Sequence, residues 1–405
     1  WAAAPGAAAS LRGPLADALR SEGLTLETLA VSATRAELRM RNLRYEAPSQ
    51  AIGRAARAMA RLLPASVEVF DIVLVERGIA TSRVTLRRSD LETLEYAPDA
   101  GGALRARAEF ADAGPLPPDA VRGEGLYPRF SWSLGPYLNT ALFDPDNPFL
   151  ADIALRLRGQ VDIAPGLVLS GSVTKRLIGN IDQSNRPTLT ALPPVRSEVN
   201  FYNKSDPVLE SLTLAYYTRP GESLYARLTA GYLERMFGGV SAELLWKPVN
   251  SRLALGAEVN YAVQRTIDGL GFRNYSVISG HVSAYYTLPQ NFHAQVDVGR
   301  YLAGDWGATL TIDREFANGW RVGAFATLTD VPFATFGEGS FDKGIRLTMP
   351  LTAITGRPSR ATASAVLRPV LRDGGARLNI DGRLYDTVRG NHAPALDASW
   401  GRVWR

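Results

Sequence analysis

Three histidines, His281, His293 and His392, and no cysteine are the sparse means this chain has for nucleophilic or metal chemistry. The histidines form neither an HxxxH nor an HExxH spacing, so nothing points to a metal site. Without a thiol there is no disulfide framework, no thiolate zinc site and no cysteine nucleophile. His281, in Ser279-Gly-His281, lacks a nucleophile-elbow context and reads as a wall residue rather than a base. Asp313 and Glu315 share one face of an alternating segment, and a carboxylate pair can in principle hydrolyse a glycan. A polar, water-facing wall would carry the same pair. We therefore read the chain as non-enzymatic and expect no cofactor.

Other charged residues repeat that arrangement. Arg156, Arg158, Arg227, Glu258, Asp297, Arg321, Arg377, Asp381 and Arg383 each fall on the polar side of a segment that alternates apolar with polar. Two functions compete for them. They are ion pairs that fill an interior and hold register, or they line a path for a polar, charged polymer. A glycine-rich connection, 333–344, adds Glu338, Asp342 and Lys343. It lacks the phosphate-loop spacing and reads as a constriction or a plain hairpin turn.

The elements that must position these residues are strands. From about Phe130 to Trp404, roughly fifteen segments of about 10–13 residues alternate, separated by turn residues. In Leu253–Val263 one face is Leu253, Leu255, Ala257, Val259, Tyr261 and Val263; the other includes Ala254, Glu258, Asn260 and Ala262. Ile153–Ile163, Phe292–Val298, Trp320–Leu328 and Leu378–Leu384 read the same way. A soluble sandwich buries the apolar face, whereas a membrane barrel turns it to lipid and keeps a polar lumen. Segment length, short connections such as Gly238-Gly239 and Asn318-Gly319, and aromatics near segment ends (Tyr216-Tyr217, Trp246, Tyr285-Tyr286, Trp306, Trp320, Trp400, Trp404) favour the barrel. No apolar run approaches the ~18–20 residues of a membrane helix. The stretch 179–206 reads as an extracellular loop or a lumen plug.

Residues 1–125 differ. They hold five of the chain's 36 aromatics, which places a compositional boundary near 125. We expect a small α+β unit. It has a helix over 11–22, strands Leu24–Ser32 and Glu37–Tyr45, a helix over 49–63 and a hairpin around Arg77-Gly78. The second helix has Ser49 as N-cap and Ile52, Ala56, Met59 and Leu63 as its apolar face. Its Arg54, Arg57 and Arg61 read as a solvated face, with an anionic lipid or polymer contact as the alternative. Net charge is +5, with 45 basic against 40 acidic residues, and argues no nucleic-acid partner.

Long strings also resemble the YjbH-type outer-membrane proteins of exopolysaccharide and group 4 capsule operons. They are Ala230-Gly-Tyr-Leu-Glu-Arg-Met-Phe-Gly-Gly-Val240, Asn260-Tyr-Ala-Val-Gln-Arg265, Tyr275–His281, Gly299-Arg-Tyr-Leu-Ala-Gly-Asp305, Phe336-Gly-Glu-Gly-Ser-Phe-Asp-Lys-Gly-Ile345 and Leu371-Arg-Asp-Gly-Gly-Ala376. The resemblance implies production or export of a secreted polysaccharide and supplies no catalytic residue. Members resemble longer, often lipid-anchored precursors. With Trp1 first and no signal peptide or acylatable Cys, we expect a fragment.

The combined expectation is a mainly β chain. Residues 1–125 form a small periplasmic α+β module and linker, and 126–405 form an antiparallel up-and-down outer-membrane β-barrel of which about 14–16 strands are visible, the total being left open to completion by missing chain. Its partners would be an extracellular polysaccharide, outer-membrane lipid and other proteins of an export system. A lectin-like barrel that anchors capsule is the alternative, and a polysaccharide-modifying enzyme a remoter one.

Overall fold

A computed structural model describes residues 7–142, 149–180, 191–336, 341–368 and 373–405. Helix α1 (Ala7–Ser21) leads into a hairpin of β1 (Leu24–Val31) and β2 (Arg35–Asn42). Helix α2 (Pro48–Leu62) crosses to β3 (Val69–Glu76), which turns back as β4 (Ile79–Arg87). Then come α3 (Arg88–Leu94), α4 (Ala100–Arg107), β5 (Glu109–Ala111) and β6 (Val121–Arg122). The six strands pair in the order β5-β4-β3-β2-β1-β6. Only β2–β3 is parallel, because only that connection is a helical crossover. Arg77 and Gly78 both have positive φ, 48° and 78°, which suits the two-residue turn that matches strand twist.

Two expectations about α2 need correction. Its N-cap is Ala47, with Pro48 in the first turn, where a missing N–H costs nothing. Ser49 is buried, and its hydroxyl bonds to Ser399 instead. Nor is the arginine face wholly solvated. Arg54 Nε donates to the Arg405 carbonyl at 2.7 Å and Arg57 Nη1 to that of Trp404 at 2.8 Å, while Arg61 stays exposed.

The larger sheet contains β7 (Arg129–Leu142), β8 (Phe149–Ala164), β9 (Leu167–Gly179), β10 (Val208–Gly221), β11 (Leu224–Tyr232), β12 (Phe237–Trp246) and β13 (Leu253–Arg265). It continues through β14 (Phe272–Thr287), β15 (Phe292–Arg300), β16 (Trp306–Glu315), β17 (Arg321–Thr329), β18 (Asp342–Pro350) and β19 (Thr362–Leu367). Short helices α5 (Val199–Tyr202), α6 (Phe333–Phe336) and α7 (Thr352–Thr355) sit in its connections, and α8 (Leu384–Val388) and α9 (Ala393–Ser399) follow it. All thirteen strands pair antiparallel with their sequence neighbours. Thirteen strands, not 14–16, are present among the described residues, and no pairing joins β7 to β19 there.

Burial is inverted relative to a soluble sheet. Val259 is 55% exposed and Tyr261 52%, while Glu258 between the same strands is 7% exposed. Cross-strand register joins the exposed apolar side chains. Tyr216 faces Leu228, Val240 faces Tyr261, Tyr261 faces Ile278, Val282 faces Val298, Val296 faces Leu310, and Ile345 faces Leu367. Tyr216, Trp246, Tyr286 and Trp306 join this outer face near strand ends. Tyr217 and Tyr285 point to the buried face, because neighbours in a strand point oppositely.

At one end, short turns of the large sheet meet the α+β unit. A Cβ on Gly78 would lie 2.1 Å from the backbone nitrogen of Gly166, so the two turns touch as glycines. Arg41 pairs with Asp162 at 2.7 Å, Arg360 with Glu76 at 2.8 Å, and Asn250 Nδ2 donates to the Phe110 carbonyl at 3.0 Å.

The main departure from expectation is the tail, 373–405. Leu378–Leu384 forms no strand, and Trp400 and Trp404 follow α9 rather than ending a strand. From the far end of the sheet the tail instead crosses the buried face of the strands. Its last turns join the core of the α+β unit, where Leu396, Trp400 and Val403 pack with Ile52, Met59 and Phe110. Thus 126–405 also supplies part of the core of 1–125. The alternation of Leu378, Ile380 and Leu384 reflects a segment enclosed on two sides rather than a ladder.

Candidate functional site

The buried face of the large sheet is a charged wall held against the tail. Cross-strand register sets Arg227, Glu243, Glu258 and His281 in one row across β11–β14. Arg383 reaches Glu258 with two bonds, Nε to Oε2 at 2.8 Å and Nη2 to Oε1 at 3.1 Å. Arg227 lies 3.0 Å from Glu243 and 3.4 Å from Glu258. Arg377 pairs with Asp297 at 2.8 Å and stands 4.0 Å from Glu258. Three cations thus face three carboxylates, the balance a buried cluster requires. Two of those cations belong to the tail.

A second cluster lies nearer the α+β unit. Glu315 meets Arg389 at 3.2 Å, Arg321 at 3.7 Å and His293 at 3.7 Å. Asp313 pairs with Arg346. Asp313 and Glu315 therefore share a face as expected, each with its own cation. A cavity of about 230 Å³ opens here, lined among others by Tyr285, Arg346, Tyr385 and Arg389. Tyr385 stacks on Tyr285 with ring centroids 3.9 Å apart.

The remaining expected residues lie apart from these clusters. Arg156 pairs with Glu210 at 2.8 Å and covers the Tyr137 ring at 3.4 Å. Arg158 is exposed on the same face. The side chain of Asp381 is exposed, and its carbonyl accepts from Arg227 Nη1 at 3.3 Å. Asp342 is buried and pairs with Arg368 at 3.3 Å, while Lys343 sits over the Phe341 ring. Glu338 lies outside the described residues.

The stretch 192–203 caps the buried face at the far end of the large sheet. Val195 and Tyr202 pack with Leu233, Met236, Phe237, Leu302, Ala376, Leu378 and Ile380. Arg196 fixes it by two bonds to Glu234, 2.6 and 3.0 Å, and by one to the Arg377 carbonyl at 2.8 Å. The described part of 179–206 thus packs against the strands and the tail rather than standing free of them.

Sequence reasoning missed Arg389 and His392. A signal for Arg389 existed: Arg377, Arg383 and Arg389 recur every six residues, and each meets an acid of the wall. His392 is fully buried, its Nε2 3.2 Å from the Tyr225 hydroxyl. Burial, reinforced by Lys247, pushes its pKa down to about 3. His281 is a wall residue, edge-on to Tyr301 at 4.6 Å. Among the described residues, no group of three His, Asp or Glu is placed to hold a metal ion.

Comparison with known proteins adds a family. The YjbH family, described as "Exopolysaccharide biosynthesis protein YbjH", matches residues 3–390. An Escherichia coli (strain K12) protein, "Uncharacterized lipoprotein YjbH", is 33% identical over 331 residues, 76% of this chain and 47% of that protein. The chain thus spans about half the length of this curated relative. The solved structure "Salmonella typhi OmpF complex with Daunomycin" is 11% identical, with a TM-score of 0.31 over 55% of this chain and 85% of that one. That likeness is too slight to bear on the fold.

Proposed function

The chain belongs to the YjbH exopolysaccharide biosynthesis family, and from that premise we propose that it is a non-enzymatic outer-membrane β-barrel protein serving production and export of an extracellular polysaccharide. The observation that carries this reading is the inverted burial of the large sheet. Apolar side chains are exposed on its outer face and charged ones buried within, as lipid outside and a polar lumen inside demand. Open sheet edges are not tolerated in lipid, so the wall is closed in the membrane. The α+β unit sits at the short-turn end, which in such barrels faces the periplasm. There it would meet the polymer or other proteins of the export system.

One observation favours the second reading, a barrel that holds capsule without transporting it. The tail and the 192–203 cap occupy part of the interior. Export through the lumen would need the free part of the wall or a displaced tail.

Deletion of the gene tests the role. Loss of secreted polymer is expected, and a deletion strain that secretes normal amounts would overturn it. Polymer that is secreted but no longer retained at the cell surface would favour the capsule-holding reading. Membrane fractionation and heat-modifiable gel mobility test the barrel, and a chain recovered in the soluble fraction would exclude it.

A further inference from the structure

The tail covers only part of the buried face. Its bonds run to Tyr217 on β10 and to Arg227, Glu243, Glu258, Asp297 and Glu315 on β11–β16. On β7–β10 the same face is built differently. Register sets Ser133, Arg158, Ser172 and Ser211 in one row across four strands, and Ser131, Gln160, Ser170 and Thr213 in the next. Ser131, Ser133 and Arg158 are exposed, and Gln160, Ser170 and Thr213 half-buried. Among the described residues, no hydrogen bond or ion pair joins the tail to Ser131, Ser133, Arg158, Gln160 or Ser170.

We propose that these two rows form a saccharide-binding lane for an acidic polymer, with Arg158 contacting a carboxylate on the sugar. This rests on the polysaccharide role proposed above and locates it on the wall. The chemistry fits. Ser170 bonds Thr213 at 3.1 Å, Ser172 bonds Glu210 at 3.3 Å and Gln160 bonds Asp162 at 2.8 Å, while the exposed hydroxyls of Ser131 and Ser133 leave room beside the wall and exchange water for sugar hydroxyls at little cost. Arg158 differs from the other wall arginines of the expected set. Arg156, Arg227, Arg321, Arg377 and Arg383 each face an acid. Arg158 faces Ser133 and Ser172, so its fork of donors is available for a carboxylate.

The test is titration of the purified full chain in detergent with polygalacturonate oligomers and, separately, with maltoheptaose, followed by calorimetry. The wild-type chain should bind the acidic oligomer more tightly. Arg158→Glu should weaken that binding at least tenfold and leave maltoheptaose unchanged. Ser133→Trp, which fills the space beside the row, should weaken both. Arg357→Glu, the same charge change on an exposed turn, should alter neither. No binding by the wild-type chain, or wild-type affinity in both lane variants, would overturn the lane. Equal affinity for the two oligomers would overturn its acidic preference. Secretion assays separate this from the wider role. If deletion abolishes secretion and both lane variants secrete normally, the lane falls and the role stands. If deletion changes nothing, the role falls, and the calorimetry alone decides the lane.

Discussion

Arg383, in the chain's tail, clasps Glu258, in the middle of the large sheet, through two bonds of 2.8 and 3.1 Å. The pair joins positions 125 residues apart and fixes where the tail lies. Without the tail's Arg377 and Arg383, the wall there would keep Glu243, Glu258 and Asp297 against Arg227 alone. That surface would repel an acidic polymer. The tail therefore sets the sign of this part of the buried face.

Arg383→Ala should lower stability by about 3–5 kcal/mol, because it leaves a buried carboxylate short of a partner. Arg383→Met with Glu258→Leu should cost much less than the single change. The order of loss of heat-modifiable mobility checks this; equal loss in the two variants would contradict it.

Trp400 packs against Phe110 with centroids 5.2 Å apart, and its indole N–H donates to the Gly101 carbonyl at 3.1 Å. Trp400→Ala should cost about 3–5 kcal/mol. The tail should then be cut by limited proteolysis while β7–β19 stay intact. An uncut tail would show that the arginine contacts hold it alone.

Gly53 lies within α2, where a Cβ would come 1.7 Å from the Val403 carbonyl. Alanine there improves helix propensity by about 1 kcal/mol. It should nonetheless free the tail, because backbone blocks the methyl. Proteolysis again reads the outcome, and a tail as protected as in the wild type would refute it.

His392 predicts a pH dependence. Its folded pKa of about 3 lies below the ordinary 6.5, so the unfolded chain binds the extra proton between those values. Its contribution is complete above pH 6.5 and falls as pH drops toward 3. Unfolding midpoints across that window should show a slope that His392→Gln reduces. An unchanged slope would exclude His392 as its source.

Val282, 66% exposed on the outer face of β14, tests the lipid contact. Val282→Arg should cost about 2–4 kcal/mol if it faces the bilayer core. On a water-facing sheet the cost would be near zero. Recovery of folded protein in the membrane fraction distinguishes the two.

Sequence by itself determined what depends on near neighbours. Alternation at two-residue spacing marked the strands and told the apolar face from the charged one. Turn residues at Arg77-Gly78 and Asn318-Gly319 marked their ends, and long strings such as Ala230–Val240 marked the family. The order from α1 to β4 was legible for the same reason, whereas α3, α4, β5 and β6 were not. The tertiary structure alone decided the course of 373–405 and hence which charges meet. Period two arises in any extended segment with different surroundings on its two sides. Leu378, Ile380 and Leu384 are buried as they would be in a strand, yet Leu378 and Ile380 pack between the wall and the cap, and Leu384 packs on Tyr217, Tyr225 and Leu245 of the wall. Only a partner distant in sequence distinguishes the cases. Glu258 for Arg383, Asp297 for Arg377 and Phe110 for Trp400 are such partners, and no spacing within the tail encodes them.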